Sequence, residues 1–168
     1  MVVLYRILAA VIVLCLAARM AQAQNASSGT RVWAAVGLGA AAPTSGGDGI
    51  ANMAQVVSEK KSHHIALRGM IAHDIERSTN ELGEVGVLYG RVTSLKSFPM
   101  TLAAGLSGVG FSACPDDDDS CFTVGVPVVA EVSRSRGIVG IGIQAFGNIN
   151  SKASYAGAVL FIQLGRLR

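Results

Sequence analysis

Charge is scarce in this chain. Only 15% of its 168 residues are Asp, Glu, Lys or Arg, against about a quarter in an ordinary soluble domain. Aromatic residues make up 5%, with a single tryptophan. Disorder is excluded, because it requires high charge and low apolar content, and 51% of this chain is apolar. Zinc is excluded as well: there are three histidines and three cysteines, and no two Cys/His pairs stand at ligand spacing. What the chain does have is glycine, 20 residues placed singly inside apolar stretches such as GVGF, GIVGIGI and YAGAV. Each glycine costs a helix about 1 kcal/mol relative to alanine, so these stretches read as strands. The length leaves room for one domain.

The first residues read as a targeting segment. Arg6 precedes a near-continuous apolar run from Ile7 to Ala18, and Ala21-Gln22-Ala23 supplies a small-x-small cleavage pattern. Residues 1–23 are therefore expected to be a signal peptide cut before Gln24. The run is short for a retained spanning helix. Removing Arg6 and Arg19 leaves 12 basic residues against 11 acidic ones, and net charge falls from +3 to +1. No basic patch remains to suggest nucleic acid. Cys114 and Cys121 are then the remaining cysteines, and an even pair in an exported chain reads as a disulfide.

After a flexible lead-in at 24–29, eight stretches of strand character fill residues 30–168. They run approximately 30–41, 49–58, 63–74, 84–95, 100–113, 122–133, 138–148 and 154–167. The connections alternate. EKKS, KSFP and RSRG are short and basic, while APTSGGDG, IERSTNELG and CPDDDDSC are longer and more polar or acidic. Tight turns at one end and longer loops at the other are the pattern of an up-and-down membrane barrel. An even strand number places both termini on the periplasmic side. The seventh connection, NSKA, is short for an outer loop, and IANMAQVVS fits helix or strand.

Alternation inside the strands points the same way. In the sixth stretch Phe122, Val124, Val126, Val128, Ala130 and Val132 form one apolar face, opposite Thr123, Gly125, Pro127, Val129, Glu131 and Ser133. A lipid-facing row opposite a small, mixed, lumen-facing row suits a narrow membrane barrel. A soluble barrel would need many more charges on its outward row. The fold expected is all-β: an eight-stranded antiparallel up-and-down transmembrane barrel.

Several residues could carry chemistry. Arg68, Glu84, Arg91 and Glu131 are expected to form a charge network closing the lumen, since eight strands leave little more than side-chain room inside. The run Asp116, Asp117, Asp118 and Asp119 offers hard oxygen ligands to a divalent cation, or simply a solvated acidic loop tip. His73, Asp74 and Ser78 invite an acyl-transfer reading, but sequence does not place a base beside a nucleophile. His63 and His64 fall at the other end of the strand. Trp33 and Tyr89 read as aromatics at the membrane interface.

GVLYGR (Gly86 to Arg91) and GIGIQAFGNINSKASYAGAVLFIQLGRLR (Gly140 to Arg168) resemble a group of small outer-membrane β-barrel proteins of OmpA/OmpX-like architecture. There a glycine-rich strand ends in an FGN-type turn, and the chain closes on an apolar strand. The resemblance implies an eight-stranded barrel and carries no catalytic residues. The chain departs from many such barrels in ending on Leu167-Arg168 rather than an aromatic residue.

The expectation is thus a structural or surface-interaction barrel in the outer membrane of a Gram-negative-type bacterium. It would contact membrane lipid and lipopolysaccharide, with an envelope or extracellular protein as a further partner, and would need no cofactor. A soluble lipocalin-like periplasmic barrel holding an apolar ligand is the alternative. A lipid A-modifying barrel enzyme is the third reading.

Overall fold

The period-two alternation becomes eight antiparallel strands: β1 (Thr30–Pro43), β2 (Gly49–Lys60), β3 (His63–Asp74), β4 (Glu81–Leu95), β5 (Phe98–Phe111), β6 (Phe122–Arg136), β7 (Val139–Asn150) and β8 (Tyr155–Gly165). This is a computed structural model, and it describes residues 29–43, 48–74, 81–95, 98–112 and 121–165. The expected signal peptide, nearly all of the lead-in and the acidic loop tip lie outside the described residues.

Each strand pairs with its sequence neighbours, and β1 pairs with β8 from Trp33↔Gly165 to Pro43↔Tyr155, which closes the barrel. Closure removes the unpaired edges that would otherwise template aggregation or face hydrocarbon unsatisfied. Both ends of the strand series fall at one rim, together with the β2–β3, β4–β5 and β6–β7 turns. This end is called here the terminal rim. The β1–β2, β3–β4, β5–β6 and β7–β8 connections form the loop rim.

Large apolar side chains cover the outside. Leu38 is 60% exposed, Leu106 67% and Leu160 68%, and every strand carries at least one exposed Val, Ile or Leu. In water such a surface would drive association. It suits hydrocarbon instead. Strands of 11 to 15 residues meet or exceed the roughly 9–11 that a tilted strand needs to cross a bilayer.

Glycine lets a narrow barrel close. A Cβ on Gly39 would stand 1.9 Å from the Ala158 carbonyl oxygen, and one on Gly105 would stand 1.9 Å from that of Val87. The backbones pass too closely there for any side chain. Gly137 has φ +67° and opens the two-residue turn between β6 and β7, a left-handed conformation that glycine adopts without steric cost. Lys61 takes the same region at φ 58° in the β2–β3 turn.

The ambiguous second stretch is a strand, because it pairs along its whole length with both β1 and β3. Strand β4 begins at Glu81 rather than residue 84, and β6 runs on to Arg136. The FGN segment, Phe146 to Asn148, is still strand, since Asn148 pairs with Tyr155. The β7–β8 turn follows at 151–154 and is organised by Asn150. The Asn150 Oδ1 accepts from Lys152 N at 3.0 Å and Ala153 N at 2.8 Å, while its Nδ2 donates to Ala153 O at 2.9 Å. The side chain stands in for a turn of backbone, which is why so short an outer connection holds.

Candidate functional site

Alternation sends odd residues of β1, β2, β5, β6 and β8 inward, and even residues of β3, β4 and β7. Two polar tiers result, separated and flanked by apolar side chains that include Met53, Val57, Leu88, Val129, Val159 and Phe161.

The tier nearer the loop rim centres on Arg68 and Glu84, whose side chains are both fully buried. Arg68 Nη2 donates to Glu84 Oε1 at 2.5 Å. The other carboxylate oxygen, Oε2, accepts from Asn148 Nδ2 at 3.0 Å and from the Tyr155 hydroxyl. Asn148 Nδ2 also donates to Ser107 Oγ at 2.8 Å. The Arg68 guanidinium lies 5.7 Å from the centroid of the Phe146 ring. Four strands are tied across the lumen by one carboxylate and its donors, and Asn148 extends the tie to Ser107 on a fifth. A charge pair without water is tolerable only when its remaining lone pairs and protons are engaged. Glu84 meets that condition. Arg68 meets it in part, since its Nε and Nη1 have no hydrogen-bond partner among the described residues, while its guanidinium faces the Phe146 ring.

The second tier lies toward the terminal rim. Glu131 Oε2 accepts from Gln55 Nε2 at 3.2 Å and from Gln144 Nε2 at 3.1 Å, and Gln144 Nε2 also reaches Gln55 Oε1 at 3.3 Å. Nearer that rim, Arg31 Nη1 stands 3.4 Å from Glu59 Oε1. Trp33, Glu59, Pro99, Thr101, Glu131 and Gln163 are among the residues lining a small recess of about 20 Å³ there.

The structure places Arg68, Glu84 and Glu131 in the lumen, with Arg68 paired to Glu84 and Glu131 in a separate tier. Arg91 corrects the expected set. It is exposed on the outward face beside His63, its register partner on β3. It stands seven positions along from Glu84, an odd step, so the two point to opposite faces of the strand. Trp33 is a second correction. It is 6% exposed, inside the barrel, edge-on to the His64 ring at 5.9 Å. Tyr89 is outward, 52% exposed, with its hydroxyl 2.6 Å from His63 Nδ1.

Sequence reasoning missed Gln55, Ser107, Gln144, Asn148 and Tyr155 as members of the network. Each is a polar or amphipathic residue in a row opposite an apolar row, and that signal was readable. His73 is at the loop rim, where its Nδ1 is 3.2 Å from Glu81 Oε1. Ser78 lies outside the described residues, as do Cys114 and the run Asp116 to Asp119. Cys121 is described, and its carbonyl accepts from Phe111 N at 2.9 Å. Among the described residues no cluster of three or more His, Cys, Asp or Glu could hold a metal ion.

No family model and no curated protein sequence matches this chain. Among solved structures it is similar to the crystal structure of Neisserial surface protein A, with a TM-score of 0.64 over 83% of this chain and 98% of that one, at 14% identity. Likeness at that identity speaks for the fold alone. The chain is an all-β, eight-stranded, closed antiparallel barrel with the OmpA/OmpX-like architecture of small outer-membrane barrels.

Proposed function

We propose that this protein is a structural or surface-interaction barrel of a bacterial outer membrane, with a lumen sealed by side chains rather than a conducting pore. The observation that carries the reading is the inversion of polarity. Leu, Ile and Val are exposed outside while Arg68, Glu84 and Glu131 are buried inside, the arrangement a barrel needs when its solvent is lipid. The fold shared with Neisserial surface protein A is in keeping with it. A soluble lipocalin-like barrel would put charges along its outward strand faces and an apolar cavity within; here Leu, Ile and Val stand on the outward faces and the Arg68–Glu84 pair is buried inside. A lipid A-modifying enzyme would need a nucleophile beside a base; His73 has Glu81 at 3.2 Å, and Ser78 lies outside the described residues.

At the loop rim, a Cys114–Cys121 disulfide would close the acidic loop outside the cell, where thiols oxidise. Its carboxylates Asp116 to Asp119 would then meet lipopolysaccharide phosphates through bridging divalent cations. Thiol titration of the denatured mature protein before and after reduction tests the bridge; two thiols before reduction would rule it out. Closure is tested in planar bilayers. The sealed barrel is expected to give no steady conductance, and regular single-channel steps would contradict it.

A further inference from the structure

The charges left outside the lumen are sorted by sign along the barrel axis. Around the terminal rim Lys60, Lys61, Arg91, Arg134 and Arg136 are all exposed. They come from β2, its turn to β3, β4 and β6, and so are distributed around the barrel rather than clustered on one strand. Arg91 and Arg134 follow directly on apolar outward rows, whereas Lys60 follows the exposed Ser58 on β2 and Lys61 stands in the turn beyond it. On β4 the row runs Val85, Val87, Tyr89, Arg91, and on β6 it runs Val128, Ala130, Val132, Arg134, Arg136. Register sets Lys60 beside His63 and His63 beside Arg91. The Tyr89–His63 pair, 2.6 Å between hydroxyl and ring nitrogen, adds an amphipathic aromatic at the same level.

Among the described residues no acid offsets these cations on the outward face. The acidic residues at this end, Glu59 and Glu131, point into the lumen and are buried. The chain also carries Lys96 between β4 and β5, and Arg166 and Arg168 after β8. The opposite end reverses the sign. Asp48, Asp74 and Glu81 belong to the loop rim, and the loop sequences add Glu76 and Asp116 to Asp119 against Arg77 and Lys152.

We infer that the five exposed cations form a collar that binds the anionic phosphodiester headgroups of phospholipids in the leaflet at the terminal rim. This rests on the membrane-embedded reading above and names the lipid that meets one end of it. Lysine and arginine at the end of an apolar row lay their methylenes along hydrocarbon and lift the charge to headgroup level. Guanidinium pairs with phosphate in a fork, and ammonium pairs as a point charge. Each cation near an anionic surface favours association about fivefold. The opposite, acidic rim would repel the same lipid, so the collar also biases which way up the barrel rests.

The test uses the full mature barrel inserted into phosphatidylcholine vesicles, with spin-labelled phosphatidylglycerol or phosphatidylcholine reporting the lipid shell. The wild type should favour phosphatidylglycerol by about fivefold or more. The quintuple variant Lys60→Gln, Lys61→Gln, Arg91→Gln, Arg134→Gln, Arg136→Gln should bring the ratio close to one, while Lys152→Gln at the other rim leaves it unchanged. A wild type with no preference, or a variant that folds and keeps it, overturns the collar. Displacement of the labelled lipid by millimolar inorganic phosphate would assign a free-phosphate site instead. If the quintuple variant fails to fold, salt decides: raising ionic strength about tenfold should weaken the wild-type preference by screening, and an unchanged preference overturns it. Failure to insert into vesicles at all would defeat the membrane reading itself, whereas insertion without selectivity defeats only the collar.

Discussion

The Arg68–Glu84 pair gives the account a quantity to defend. Both side chains are fully buried, so solvent screening does not dilute their interaction. Arg68→Met removes the cation at similar length and leaves the Glu84 carboxylate with Asn148 and Tyr155 as its remaining donors. Breaking one side of a buried pair costs about 3–5 kcal/mol. Glu84→Gln strands the guanidinium instead, with only the Phe146 ring at 5.7 Å to face it, and should cost as much. The double variant buries no charge, and its glutamine carbonyl still accepts from Asn148. It should recover stability relative to either single, with a coupling of about 2–3 kcal/mol. Urea unfolding of vesicle-inserted protein, followed by fluorescence of Trp33, the single tryptophan, measures all three. Single losses below about 1 kcal/mol that simply add in the double variant would refute a solvent-free, mutually dependent pair.

The outward face makes a second prediction. Leu160→Arg, at a position 68% exposed, should cost about 2–4 kcal/mol if the site lies in the bilayer midplane, and next to nothing if it faces water; refolding yield in vesicles and urea midpoints tell these apart. Two glycines make a third. Gly105→Ala places a Cβ 1.9 Å from the Val87 carbonyl and should lose about 1–3 kcal/mol through strain, whereas Gly83→Ala meets nothing within 4 Å and should fold as wild type. Equal refolding yields for the two glycine variants would contradict the close strand packing. His73→Ala should leave the lipid A mass spectrum of expressing cells unchanged, and a shift would reopen the enzyme reading.

The architecture was largely legible because period two is a strong signal when one row is purely apolar. In β6 the apolar row named from sequence is the outward row of the barrel. Loop lengths contributed independently by alternating short and long. The site was less legible. Arg91 was grouped with Glu84 by proximity along the chain, although it shares parity with Val85, Val87 and Tyr89, and that parity marks it as outward. Trp33 was harder, because β1 is apolar or small in both rows and alternation there has no phase to read. The partners that satisfy Glu84 come from β3, β7 and β8. Which polar residues converge across a lumen depends on strand tilt and register, and composition does not encode those locally. The boundary at Asn150 was missed because its side chain builds the turn in place of glycine.

The central claim is a folded barrel in the outer membrane, and one measurement addresses it most directly. Cells expressing the protein are fractionated, and the membrane and soluble fractions are run on gels without heating and after boiling. The account predicts a band in the outer-membrane fraction whose mobility changes on boiling, as a closed hydrogen-bonded barrel resists detergent until heated. A soluble periplasmic band with identical mobility in both lanes would contradict it.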